Sequence, residues 1–453
     1  MNPTKPYLAG HYTPVVDEVT AFDLTVEGTL PPELSGQLVR NSHNPKPGVT
    51  PTHWWKGSGM VHGIRLRAGH AEWYRNRWVR TPALDGAPYM TGSGPDYSAS
   101  TAGTHVVEHA GRLLALCEAN HPFALTRELD TVGAFDFSGK LTTAMTAHPK
   151  QDPATGELHF FGSSPMPPLL TYHVASADGE LMLSEQVPGA TAALKHDFAI
   201  TENHVVFLEM SVTFDHTETS GIPYAWSDDI APRLGVLPRG AGGAARIRWY
   251  DIAPGQALHV ANAYEDAQGR IVVEGPTLDR AGWELSWNWW AGTGGPRHDE
   301  PVTRSLTRRW VVDPVTGIVT EGLCDDLNVE FPTINDDLLG REHRYQYAIA
   351  FPGGGSGGSH GVVKYDRIDG SRQILDVGAG VLPSEAVFVP AADATREDDG
   401  YLLTVTSDLG RDASSLLVLD ASDLRRAPIA TIRLPRRVTA GIHGSWIPDE
   451  QTS

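Results

Sequence analysis

The stretch "LKHDFAITENHVVFLEM", residues 194–210, decides how the rest of the chain is read. Phe198, Ala199 and Ile200 form an apolar run, "TENH" supplies turn formers, and "VVFLEM" is a second apolar run. Short runs of β-branched and aromatic residues closed by turn residues spell strand, turn, strand. The start of the first run is the anomaly: His196 and Asp197 place two polar side chains where a strand begins. A surface turn explains them if the stretch stands alone. It does not explain histidines that recur in the same setting.

Working outward, the same grammar fills the chain. "THVVEHAGRLLALCE" (104–118), "GELHFFGS" (156–163), "GRIVVEG" (269–275), "RRWVVDPVTGIVTEG" (308–322), "GYLLTVTSD" (400–408) and "SSLLVLDASDL" (414–424) all read as strands bounded by turns. "DPATGEL" (152–158) and "DPVTGIV" (313–319) share one hairpin turn, while the residues beyond the turn differ. The 47 Gly and 33 Pro are spread along the whole length, as turn punctuation and not as a linker. Helical patterns are scarce; "LPPELSG" (30–36) and "ASDLRRA" (421–427) are each expected to hold a turn or two. "LSWNWWAGTGGPRHDE" (285–300) reads equally as a loop over something apolar or as a helix packed on the sheets. Strand–turn–strand units over 453 residues point to an all-β propeller or large sandwich, and a propeller closes its sheets radially without exposed edges. Residues 1–453 are therefore expected to form a single domain despite their length.

A net charge of −19 repels phosphate backbones, so no nucleic-acid partner is expected. The two cysteines, Cys117 and Cys324, have no CxxC spacing, which excludes a disulfide framework and a Cys-rich zinc site. "MNPTKPYLAGHYTPV" has no apolar core of a signal peptide, and no window is apolar for ~18 residues. The expectation is a soluble, cytoplasmic protein.

Of 19 histidines, four share the setting of His196. His148 in "TAHPKQDP", His196 in "KHDFAIT", His259 in "LHVANAYED" and His443 in "AGIHGSWIP" each lie at a strand boundary among small or apolar residues. They are far apart and show no HExxH or i,i+4 pattern, so they do not come from one helix. Inner ends of propeller blades would bring such residues to one axis. Each alone reads more readily as structural than as a ligand.

"PPELSGQLVRNSHNP", "HWWKGSGMVHGIRL", "TAMTAHPKQDPATGELHFFG", "KHDFAITENHVVF", "HVANAYE", "SEAVFVP" with "EDDGYLLTVTSD", and "IHGSWIP" resemble, in order and from about residue 6 to 448, the blocks of the carotenoid cleavage oxygenase family. The resemblance implies a seven-bladed β-propeller with short helices and loops capping one face. It implies one iron(II) per chain on the axis, held by His148, His196, His259 and His443, with O2 as co-substrate. It assigns to Glu118, Glu330 and Glu385 the hydrogen bonds that orient the ligating imidazoles, and each of these glutamates interrupts an apolar stretch where an unpartnered carboxylate would be costly. Asp197 then reads as the neighbour that turns the start of the strand. Thr104 matches a threonine whose methyl crowds an open iron position. Many relatives have Asn before that threonine; this chain has Gly103.

The implied activity is oxidative cleavage of a C=C bond to two carbonyl products. One branch of the family takes carotenoids or apocarotenoids, another stilbenes and related phenylpropenoids. The stilbene branch usually carries a lysine before the first of the three glutamates, where this chain has Cys117, and a thiol does not replace an ammonium donor. The preferred expectation is thus a carotenoid or apocarotenoid, with a stilbene-type substrate as the alternative. A non-oxidative isomerohydrolase and a non-catalytic propeller are weaker readings. Cys117, Trp54, Trp55, Phe123, Phe161 and Trp446 are candidates for lining the substrate channel, with core packing the alternative for each aromatic residue. "SSPMPPLLTYH" (163–173) reads as an apolar lip that draws a polyene from a membrane surface, or equally as a buried loop.

Overall fold

Burial along the strands follows a radial gradient. Phe198–Ile200 is buried at every position and His204–Glu209 at nearly every one. Outer strands such as Leu181–Gln186 and Thr131–Ala134 alternate between inner and outer faces. Near-continuous apolar runs are what a sheet covered on both faces requires. The computed structural model describes residues 5–218, 221–293, 304–352 and 359–449. Its strands form a seven-bladed β-propeller of antiparallel sheets. The innermost strands, in chain order, are His105–His109, Lys150–Gln151, Phe198–Ile200, Asn262–Glu265, Val329–Thr333, Val387–Pro390 and Gly444–Pro448.

The ring is closed twice. Gly444–Pro448 pairs antiparallel with Gly36–Arg40, so the C-terminal strand becomes the inner strand of a blade otherwise built from the N-terminal region. Val26–Gly28 pairs with Ala430–Arg433 on the outer edge of the preceding blade. Neighbouring blades bury apolar clusters between them. Phe161, Tyr172, Phe198 and Phe207 fill one such cluster, and Val39, Val61, Leu113 and Phe123 another. Each fully buried side chain of this size contributes roughly 1.5–3 kcal/mol.

The two "DP" turns have the same geometry. Asp152 and Asp313 each accept from the backbone N–H two residues on, at 2.8 Å, and Gly156 and Gly317 take the left-handed φ that closes the turn. Residues 30–36 and 421–427 contain turns and no helix, contrary to the expectation. Segments this short cannot offset the cost of helix nucleation, and Pro31 and Pro32 lack N–H donors. The α-helix among the described residues is Arg280–Trp290, capped by Asp279, whose side chain accepts from Gly282 N at 2.8 Å. It buries Trp283, Trp287 and Trp289 against the propeller, so the first part of the tryptophan-rich segment is a packed helix; 294–300 lie outside the described residues. No helix among the described residues is long and apolar enough to cross a membrane.

Each inner strand runs away from the axial centre, so the second strand of a blade returns to the face where the inner one began. The connections that follow Arg40, Leu116, Ser163, Glu209, Leu278 and Ala350 therefore all lie on one face. They bring Trp54, Trp55, Glu118 and the helix Arg280–Trp290 to that face, which is the capped one.

Candidate metal centre

Each of the seven blades presents one polar residue at the start of its inner strand. Thr104 precedes His105–His109, His148 precedes Lys150–Gln151, and His196 precedes Phe198–Ile200. His259 precedes Asn262–Glu265, Glu330 is the second residue of Val329–Thr333, Glu385 precedes Val387–Pro390, and His443 precedes Gly444–Pro448. Glu118 comes instead from the connection after Arg112–Leu116. The anomaly at His196 thus recurs around the ring, because the starts of these inner strands converge on one point.

The four histidines are buried, and one ring nitrogen of each lies within 4.8 Å of the others. His148 Nε2 and His196 Nε2 are 3.1 Å apart. Three carboxylates set the tautomers. His259 Nδ1 donates to Glu330 Oε2 at 2.6 Å, His443 Nδ1 donates to Glu385 Oε1 at 2.9 Å, and His196 Nδ1 is paired with Glu118 Oε1. With Nδ1 engaged by a carboxylate, Nε2 is the atom of each ring left to bind a cation. His259 Nε2 and His443 Nε2 have no hydrogen-bond partner and converge on the same point as the ring nitrogens of His148 and His196. A divalent cation with metal–nitrogen bonds of about 2 Å would place neighbouring ligand atoms about 3 Å apart, as at His148 and His196. The residues present fit a four-histidine metal site.

The carboxylates are themselves fixed. Glu330 Oε2 accepts from Phe331 N at 2.9 Å and Glu385 Oε2 from Gly444 N at 2.9 Å. Burial and the neighbouring imidazoles hold His148 and His443 well below the ordinary histidine pKa, which keeps them neutral. Burial also opposes the His259 cation, but the Glu330 carboxylate outweighs it and the net direction is up. Burial raises Glu385, while at Glu118 the His196 contact overcomes burial and the pKa falls.

Three residues shape the site in ways that sequence reasoning did not assign to them. Arg40 has its guanidinium buried beside Gly441, where a Cβ would lie 2.4 Å from Cζ, and it donates to Thr439 O at 3.1 Å. Its charge acts on Glu385. Three carboxylates would exceed a bound divalent ion by one charge, and the Arg40 guanidinium would make up the difference. Phe331 stacks on His259 at 5.3 Å and takes a left-handed φ of 55°, a strained conformation for an aromatic residue. Asp197 does more than turn its strand. Its Oδ1 accepts from Phe198 N at 2.7 Å and from Lys150 Nζ at 2.8 Å, and its Oδ2 from Val260 N at 2.8 Å, which ties three successive blades together beside two of the histidines. The sequence signals for Arg40 and Phe331 were weak: an arginine in an ordinary strand and an aromatic before a proline.

Two cavities meet at the histidines. On the capped side a cavity of ≈ 140 Å³ is walled by Trp54, Trp55, Trp290, Phe331 and Ile442, with Thr104, Glu118 and His196 at its floor. Trp55 stacks on His196 at 5.6 Å. Along the axis, a channel of ≈ 560 Å³ is lined by His148, His443, Lys150, Asp197 and Asp336. Thr104 holds the backbone of His443 through its carbonyl, which accepts from His443 N at 3.3 Å, and its side chain lies against the Cys117 thiol. The other channel candidates are placed elsewhere. Phe123 and Phe161 sit in interblade clusters, and Trp446 packs against the core of the closing blade and lines the axial channel. Cys117 is half-buried, accepts from Thr101 Oγ1 at 3.1 Å, and does not line the capped cavity among the described residues. In the 163–173 segment Met166 is exposed, whereas Leu170 and Tyr172 are core residues.

The family model described as retinal pigment epithelial membrane protein matches residues 12–448. A carotenoid cleavage oxygenase of Mycobacterium tuberculosis is 37% identical, with 98% of this chain and 97% of that protein aligned. The chain belongs to the carotenoid cleavage oxygenase family. Within that family it is also 30% identical to a carotenoid 9,10(9',10')-cleavage dioxygenase of Phaseolus vulgaris, over 98% of this chain and 90% of the relative. A crystal structure of Pseudomonas brassicacearum lignostilbene dioxygenase superposes with a TM-score of 0.86 at 30% identity, covering 99% of both chains. This carotenoid cleavage oxygenase homologue thus has sequence relatives named for carotenoids and a structural neighbour named for a stilbene.

Proposed function

We propose that the chain is a non-haem iron(II) dioxygenase that cleaves a C=C bond of a carotenoid or apocarotenoid into two carbonyl products. The observation that supports this best is the contact between a four-histidine centre and a cavity walled by Trp54, Trp55, Trp290 and Phe331. One iron(II) per chain, held by His148, His196, His259 and His443, would supply the open coordination positions for activating O2. The chain's own residues do the rest. Glu118, Glu330 and Glu385 hold the imidazole tautomers. Thr104 narrows the space beside the ligands, and the indoles bind the apolar alkene and exclude water. The 37% identity to a protein named carotenoid cleavage oxygenase favours a polyene.

A second reading, cleavage of a stilbene or related phenylpropenoid, is favoured by the likeness to lignostilbene dioxygenase. The test is to incubate the iron-loaded protein with a panel of apocarotenals and stilbenes and identify products by mass. Two carbonyl fragments from a polyene, each with one oxygen from O2, are expected. Efficient cleavage of a 4-hydroxystilbene with no polyene activity would replace the first reading by the second.

A further inference from the structure

One polar side chain in the wall of the capped cavity has no role in holding a metal. His43 begins the short strand His43–Asn44 and is 3% exposed. Its ring meets Trp54 edge-on at 5.4 Å and lines the same cavity as Thr104, Glu118 and His196. Among the described residues the Gly57 backbone is the one group in hydrogen-bonding contact with the His43 ring, so one of its two nitrogens stays unpaired. Buried polar atoms left unpaired are costly, and one in a ligand cavity is commonly satisfied by the ligand. Burial pushes the His43 pKa down to about 4, against the opposing pull of the Glu118 carboxylate and the Gly57 backbone, so the ring is neutral and offers one donor and one acceptor.

Residue 103 makes room for this ring. A Cβ built on Gly103 would lie 2.6 Å from His43 Nδ1 and 3.2 Å from its Cε1. Any side chain there would drive the imidazole from its place. The missing side chain at 103 and the histidine at 43 are therefore one steric unit, with Thr104 directly beside it.

We propose that His43 is a specificity-determining residue whose imidazole hydrogen-bonds a hydroxyl or carbonyl oxygen of the alkene, and that Gly103 holds it available. This rests on the reading of the capped cavity as the substrate site, and it narrows the substrate to oxygen-bearing alkenes. A plain hydrocarbon leaves the buried imidazole unpaired and is discriminated against for that reason.

The test compares wild type, His43→Phe, His43→Gln and Gly103→Ala. Binding is read in the metal-free protein by quenching of tryptophan fluorescence, because Trp54, Trp55 and Trp290 line the cavity. The probes are a linear polyene aldehyde, the matching alcohol and the hydrocarbon of the same skeleton. Wild type should bind the two oxygenated probes about tenfold more tightly than the hydrocarbon. His43→Phe and Gly103→Ala should lose that preference, while His43→Gln, which keeps a donor and an acceptor, should retain most of it. Equal binding of all three probes by wild type, or a preference that survives in His43→Phe, overturns the proposal. If one variant does not fold, the wild-type preference and the other variant decide. Turnover is measured separately with iron restored. A His43-dependent preference without cleavage of any probe sinks the proposed function and leaves this inference standing; cleavage of all three without preference does the reverse.

Discussion

The two sides of the histidine cluster are built from the same inner strands but differ in chemistry. The capped side is walled largely by indoles and a phenyl ring, with His43, Thr104, Glu118 and His196 among its polar lining. The axial side holds Lys150, Asp197 and Asp336 in a wider channel. His196 and Glu118 face the first, His148 and His443 the second, and His259 and Glu385 touch both. The difference arises from chain direction. Bodies of the inner strands line the axial channel, whereas Trp54, Trp55 and Trp290 of the capped side come from connections between second and third strands, which can carry tryptophans without disturbing a sheet. On the proposed function, metal retention, blade-to-blade cohesion and substrate binding are therefore separable properties of one ring.

Removing a ligand should abolish the distinction between the two sides altogether. His443→Ala should eliminate cleavage and most iron retention, as should Ala at His148, His196 or His259. Metal analysis of the purified variants reads this, and full iron content in His443→Ala would take that residue out of the ligand set.

Next in size is a change confined to the axial side. Lys150→Met leaves the Asp197 carboxylate buried without its cation, and breaking a buried pair in this way costs about 3–5 kcal/mol. A clear fall in Tm is expected, with the substrate preference of the surviving protein unchanged. A changed preference would show that the axial side also reaches the substrate.

Removing a tautomer-setting carboxylate should cost less than removing a ligand. Glu330→Gln keeps shape but accepts a weaker hydrogen bond from His259, so metal affinity or activity should drop roughly 10–100-fold. Wild-type behaviour of Glu118→Gln, Glu330→Gln and Glu385→Gln alike would rule out this role.

On the capped side, Trp55→Ala removes the ring stacked on His196. Alkene affinity should weaken by roughly tenfold while iron content stays whole. Loss of iron from this variant would mean that the indole supports the ligand and the two properties are not separable. The smallest effect belongs to Cys117→Lys, which should improve binding of a hydroxystilbene a few-fold through a charge-assisted hydrogen bond. Titration of both proteins with one hydroxystilbene measures it, and no gain would place residue 117 outside substrate contact.

Much of this was legible in the chain. Short apolar runs between turn residues marked the strands, and the two "DP" turns appear as the hairpins their residues require. His148, His196, His259 and His443 could be picked out because a histidine at the start of an apolar strand is anomalous in each local context. Arg40, His43 and Phe331 could not. Nothing around an arginine in "QLVRN" tells that its guanidinium will lie against Gly441, some four hundred residues away. Phe123 and Phe161 show the opposite difficulty: an aromatic residue on a strand has two faces, and only packing decides whether it meets a neighbouring blade or a cavity.

The strand grammar, the turn chemistry and the choice of residue types able to hold a metal are properties of the amino-acid sequence alone, since they depend on neighbours within a few positions. Only the folded ring decided that seven strand starts meet at one axis, that Asp197 ties three blades, and that Gly103 leaves room for His43. Those facts depend on ring closure by Gly444–Pro448 against Gly36–Arg40, a pairing between the two ends of the chain that no local pattern encodes.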